Sequence, residues 1–191
     1  NQKVLTPEEN NKRYSSVSPD GRYIVFQSWR ENLVGIWRID IDGSNLKRLT
    51  TGIDTVPQVS PDGNWVIFTS ARSGKYTLWK VSIDGGEPVQ LTDKYTLAPA
   101  ISPDGKQIAC FYWDEQPKSQ LKIAVLPFEG GEFTKIFEPT FTRFSYPFLL
   151  RNTIRWTPDG QSLTYLQTLN GVDNIWSLSV ADGESKQLTD F

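Results

Sequence analysis

The sequence predicts an all-β chain of four-stranded antiparallel blades, and three observations predict it. A four-residue phrase returns at regular spacing: Ser18-Pro19-Asp20-Gly21, Ser60-Pro61-Asp62-Gly63, Ser102-Pro103-Asp104-Gly105 and Thr157-Pro158-Asp159-Gly160, at intervals of 42, 42 and 55 residues. Two runs rich in β-branched and aromatic residues follow each phrase, a composition that suits a pleated, packed surface. Each unit then closes with an acidic-Gly step and a short tail ending Leu49-Thr50, Leu91-Thr92, Ile136-Phe137 or Leu188-Thr189. Four strands per unit, repeated about every 40 residues, is the pattern of a β-propeller.

Strand a ends at the phrase, as in Tyr14 to Ser18 or Val56 to Ser60. Proline presets φ for the first turn position, Asp tolerates the second, and Gly21, Gly63, Gly105 and Gly160 supply the positive φ that closes the turn. Strand b is apolar at successive positions, Tyr23-Ile24-Val25-Phe26 and Trp65-Val66-Ile67-Phe68, as a strand covered on both faces reads. Strand c alternates, with Trp37, Ile39 and Ile41 set against Arg38 and Asp40, and Trp79, Val81 and Ile83 against Lys80 and Ser82. The expectation is one more buried face per strand c, on which Trp37, Trp79 and Trp176 fill space between blades. Asp42-Gly43, Asp84-Gly85, Glu129-Gly130 and Asp182-Gly183 are c–d hairpin signals. Strand d is polar, as in Lys47-Arg48, and reads as an outer edge guarded by charge.

On this reading residues 1–191 form a single propeller with blades at approximately 13–50, 55–92, 97–137 and 152–189. Lys3-Val4-Leu5-Thr6 repeats the strand-d tail and is expected to be an orphan outer strand of a preceding blade. The four complete blades are then part of a larger ring. Their uncovered Trp, Ile and Val faces are expected to favour self-association.

Composition closes much of the catalytic menu. The chain has no histidine, which excludes Ser-His-Asp and Cys-His mechanisms and every His-bearing zinc site. Its single cysteine, Cys110, lies mid-strand and reads as a buried, inert thiol. With 20 basic against 22 acidic residues there is no basic footprint for nucleic acid, and no apolar run approaches a membrane span. Asp40, Asp42 and Gly43 miss the calcium-loop spacing. Asp20, Asp62, Asp104 and Asp159 are explained as turn formers. No metal, cofactor or catalytic set is assigned, and the segment is read as a non-enzyme.

Length differences locate the variable surface. The third interval carries 13 extra residues: three between strands b and c, around Asp114-Glu115-Gln116-Pro117-Lys118, and ten after strand d, within Glu138 to Asn152. The b–c and d–a connections open on one face of a propeller, and loops carry function more often than the scaffold does. Binding candidates are therefore Phe141, Arg143, Phe144, Tyr146 and Phe148 of the long loop, with Asp114 and Glu115 of the shorter one. Aromatic and Arg side chains are the usual anchors of a protein or peptide interface. The alternative is that the loop packs on its own blade or plugs the axial channel.

The Ser-Pro-Asp-Gly turn, the apolar strand after it, the Ile-Trp or Leu-Trp strand, Asp-Gly and Leu-Thr together resemble the TolB-like, WD-repeat-like propeller repeats. Ala124, standing where the other units have Trp, departs from the pattern. The resemblance implies a protein-interaction or sensing propeller, as in the extracytoplasmic part of bacterial Ser/Thr kinases and winged-helix regulators or in TolB of the cell envelope. It implies a periplasmic or envelope location, with a cytoplasmic one left open, and a protein or peptide partner. The alternative it implies is the gating propeller of a prolyl-oligopeptidase-like or tricorn-like serine peptidase whose hydrolase domain lies outside this chain.

Overall fold

A computed structural model describes residues 5–6, 12–30, 33–114, 120–139, 154–169 and 171–191. Every regular element among the described residues is a β-strand. The chain divides into two compact units, 1–91 and 92–191. The first holds a sheet of β1 (Lys12–Val17), β2 (Tyr23–Arg30), β3 (Leu33–Asp40) and β4 (Lys47–Arg48), and a second of β5 (Asp54–Val59), β6 (Trp65–Ser70), β7 (Thr77–Ser82) and β8 (Val89–Gln90). The second unit holds β9 (Tyr95–Ile101), β10 (Gln107–Trp113), β11 (Leu121–Pro127) and β12 (Lys135–Phe137), then β13 (Arg155–Trp156), β14 (Ser162–Leu169), β15 (Val172–Ser179) and β16 (Ser185–Gln187). In all four sheets each strand pairs antiparallel with its neighbour in sequence. These are four-stranded meander blades, as the repeat predicts. Of the predicted orphan strand, only Leu5 and Thr6 are described, and neither is in a strand.

The recurrent phrase builds one turn four times. Gly21, Gly63, Gly105 and Gly160 adopt φ of +70°, +75°, +72° and +68°, and each donates its N–H to the carbonyl of the Ser or Thr that opens the phrase. That first hydroxyl has two partners. It donates to the phrase Asp, at 2.7 Å for Ser18–Asp20 and 2.6 Å for Ser102–Asp104 and Thr157–Asp159. It also accepts the N–H of the first residue of strand b, as at Tyr23, 2.9 Å, and Trp65, 3.0 Å. The Asp takes a further backbone N–H, from Arg22, Asn64, Lys106 or Gln161.

Hydrogen bonds made to the charged form lower a carboxyl pKa. All four are held below the usual aspartate range, first by the Ser or Thr hydroxyl, and Asp20 falls to about 2. A folded pKa below the unfolded one stabilises above the unfolded value, near 3.9, and that stabilisation is lost as pH falls through the folded value. Asp20→Asn is therefore expected to lose stability at neutral pH and to show a shallower further loss between about pH 4 and pH 2 than the parent. Urea melts followed by circular dichroism across that range check it. Parallel acid profiles for parent and variant would show that the turn carboxylate is not linked to folding.

Burial corrects the reading of strand c. Val25, Ile36, Leu49, Val66, Phe68, Val81 and Ile83 form one buried cluster contributed by both sheets of the first unit. Trp79 packs against it only half-buried, and Trp37 and Trp176 are likewise half-buried. Arg38 and Lys80, expected on the exposed face, are 9% and 5% exposed. Both cationic side chains are buried with partners. Arg38 Nη1 donates to the Ile83 carbonyl at 3.1 Å and to Asp84 at 2.8 Å, its guanidinium lying 4.3 Å from the Tyr23 ring centre. The Lys80 ammonium lies 4.9 Å from the Trp65 ring centre. Such cation–π contacts compensate desolvated charge.

The missing Trp of the third unit also finds its reason. Phe26, Phe68 and Tyr165 stand opposite Trp37, Trp79 and Trp176, whereas Cys110 stands opposite Ala124. Two large partners are replaced by two small ones, both fully buried. Strand a carries a feature without a compositional signal. Tyr14, Val56 and Ala98, each four residues before the phrase serine, have φ of 52° and sit at breaks in ladder register. Non-glycine residues rarely adopt this region, β-branched Val least of all.

Candidate functional site

Strand β4 of the first blade and the b–c connection of the second place two arginines around one cleft. Arg72 follows β6. Its Nη2 donates to Asp54 Oδ2 at 2.7 Å and its Nε to Ser70 Oγ at 2.9 Å. The guanidinium lies 4.9 Å from the Trp79 ring centre and 5.5 Å from that of Phe68. Asp54, at the start of β5, is fully buried, and its Oδ1 finds no hydrogen-bond partner among the described residues. One buried carboxylate, one hydroxyl and two ring faces therefore hold Arg72 in a single orientation. Arg48, on β4, stands opposite Trp37, its guanidinium 5.8 Å from that ring centre, and its Nε donates to the Thr50 carbonyl at 2.9 Å. Between them lies a cleft of about 270 Å³ lined by Arg48, Thr50, Thr51, Arg72, Glu87 and Pro88, among others. Thr50 and Thr51 belong to a d–a connection and Arg72 to a b–c connection, the two kinds of loop that vary in length.

Of the residues predicted from sequence, Phe141, Arg143, Phe144, Tyr146, Phe148 and Glu115 lie outside the described residues. Asp114 is described, and it is engaged. Lys122 on β11 pairs with Asp114 at 3.1 Å and with Glu138 at 2.7 Å, which raises the lysine pKa, Glu138 contributing most. Asp114 precedes the b–c insertion and Glu138 the long d–a insertion, so one lysine ties the roots of both loops. Cys110 is fully buried, and desolvation pushes its thiol well above the ordinary value, away from a reactive thiolate. Among the described residues no group of three or more His, Cys, Asp or Glu side chains could hold a metal ion, and no helix is long and apolar enough to cross a membrane.

Sequence reasoning missed the arginine cleft. One signal was available. The position opposite the strand-c Trp is Gln90 in the second blade and Gln187 in the fourth, but Arg48 in the first.

Four consecutive antiparallel blades with a shared Ser-Pro-Asp-Gly turn define a propeller-repeat protein. The chain belongs to the TolB beta propeller domain family, whose model matches residues 2–147. TolB from Acinetobacter baumannii is similar over 96% of this chain and 44% of its own, at 26% identity and a TM-score of 0.79. A structure assigned as TolB from Agrobacterium tumefaciens is similar in fold over 99% of this chain and 65% of its own, at 23% identity and a TM-score of 0.77. The acylaminoacyl peptidase of Pyrococcus horikoshii shares the fold over 95% of this chain and 32% of its own, at 13% identity and a TM-score of 0.66. The chain thus spans less than two thirds of the length of each of these proteins.

Proposed function

We propose that this chain is a non-catalytic propeller segment that binds a protein or peptide, within a bacterial envelope or extracytoplasmic signalling protein. Membership of the TolB propeller family, with a TolB structure similar over nearly the whole chain, is the observation that supports this reading. The lack of histidine and the engagement of Asp114 and the four turn aspartates in local contacts agree with it. We read residues 1–191 as a single run of blades within a larger ring. Contact is assigned to the b–c and d–a connections, with Phe141, Arg143, Phe144, Tyr146 and Phe148 as anchors. Self-association through blade faces belongs to the same proposal, and mass measurement in solution tests it.

Selection of ligands from a displayed peptide library on the purified chain is the direct test. Ligands are expected, and alanine at Phe144 or Tyr146 should cost about 2 kcal/mol or more in binding, while alanine at Lys47 or Lys186 should cost little. Failure to select any ligand would overturn the binding reading. Hydrolysis of an ester or peptide by the purified chain, abolished by changing one carboxylate, would overturn its non-catalytic character. The fold shared with an acylaminoacyl peptidase favours a second reading, the gating propeller of a serine peptidase. A Gly-x-Ser-x-Gly phrase downstream in the gene would favour it, and kinase motifs or a winged helix upstream would favour the first.

A further inference from the structure

We infer that the cleft between Arg48 and Arg72 is a subsite for a single carboxylate, the side chain of Asp or Glu in the bound protein or peptide. This rests on the binding reading above. The argument starts from the repeat. Opposite Trp176, Gln187 donates its Nε2 to the Thr189 carbonyl at 2.6 Å. Opposite Trp37, Arg48 makes the same bond with Nε to the Thr50 carbonyl. Glutamine thus meets the structural requirement at this position in the fourth blade, and Gln90 of the second blade, opposite Trp79, donates to Thr77 Oγ1 at 3.3 Å. What arginine adds is a positive charge and two terminal nitrogens, and among the described residues no carboxylate pairs with them.

The second arginine supplies geometry. Arg72 has its charge matched by Asp54, yet it is held rigid by Asp54, Ser70 and two aromatic rings, so it offers an oriented N–H edge with little entropy left to lose. Guanidinium groups favour planar two-oxygen acceptors. The charge count selects among anions. Arg48 and Arg72 carry two positive charges, and Asp54 behind the cleft and Glu87 in its lining carry two negative ones. With Arg72 matched by Asp54, Arg48 is left to match one negative charge, whereas a phosphate dianion brings a second that no cation of the cleft answers.

The test titrates acetyl-Ala-Glu-Ala-amide and acetyl-Ala-Gln-Ala-amide into the full chain, followed by the indole N–H resonances of Trp37 and Trp79, which lie under the two guanidiniums. The Glu peptide is expected to give saturable shifts, and the Gln peptide at least tenfold weaker binding. Arg48→Gln installs the residue already used at this position in two other blades. It should keep the parent's melting temperature and lose at least tenfold in affinity for the Glu peptide. Equal binding of both peptides, unchanged affinity in Arg48→Gln, or tighter saturation by inorganic phosphate at matched ionic strength would each overturn the assignment. A library-selected ligand indifferent to Arg48→Gln overturns this subsite alone. Absence of any selected ligand overturns the wider binding reading instead.

Discussion

Phe68→Ala is expected to destabilise the protein by about 3–5 kcal/mol, the cost of removing a large, fully enclosed side chain and leaving a cavity. Phe68 has no exposed surface and sits in the cluster that joins the first two sheets, beside Val66, Val81 and Ile36. Its loss also removes one of the two rings against which Arg72 rests. Trp79→Ala is expected to cost less, because that ring is half-exposed even though its indole N–H bonds Thr77 Oγ1 at 2.8 Å. Urea denaturation of the two variants checks the order. A Trp79 variant less stable than the Phe68 variant would show that the half-exposed ring, and not the enclosed one, holds the sheets together.

Gly35→Ala is expected to be comparably damaging, at about 3 kcal/mol, the upper end of what overpacking usually costs. A Cβ built at Gly35 would lie 2.4 Å from the Thr50 carbonyl oxygen. The obstacle is backbone and cannot rotate away. Thr50 is also fixed from both sides: its Oγ1 accepts the Ile36 N–H at 3.0 Å, and its carbonyl accepts from Arg48. The variant should therefore lower the denaturation midpoint and also displace Arg48, weakening binding of the Glu peptide. A variant as stable as the parent would show that β3 can draw back from Thr50 without loss.

The turns were legible in the sequence because their chemistry is local. Pro19, Asp20 and Gly21 each act on their own backbone or on residues a few positions away. The part played by Ser18 is equally local, but it became visible only once its hydroxyl was placed between Asp20 and the Tyr23 N–H. The Leu-Thr signature was visible as a recurrence and unexplained. Leu49 enters the core, and Thr50 bonds back to Ile36 on the adjacent strand, a contact between positions 14 residues apart.

By itself the sequence determined the four strands of each blade, the turns, the antiparallel order and the two-sided burial of strand b, since each follows from periodicity or from residues close in the chain. Only the tertiary structure decided that Arg38 and Lys80 are buried, that Val56 adopts a left-handed conformation, and that Arg48 and Arg72 meet over one cleft. Each of these depends on partners from another strand or blade. A charged side chain is tolerated inside only where a carbonyl, carboxylate or ring face is already in place. That supply is set by how neighbouring sheets stack, and the spacing of polar residues along one strand does not encode it.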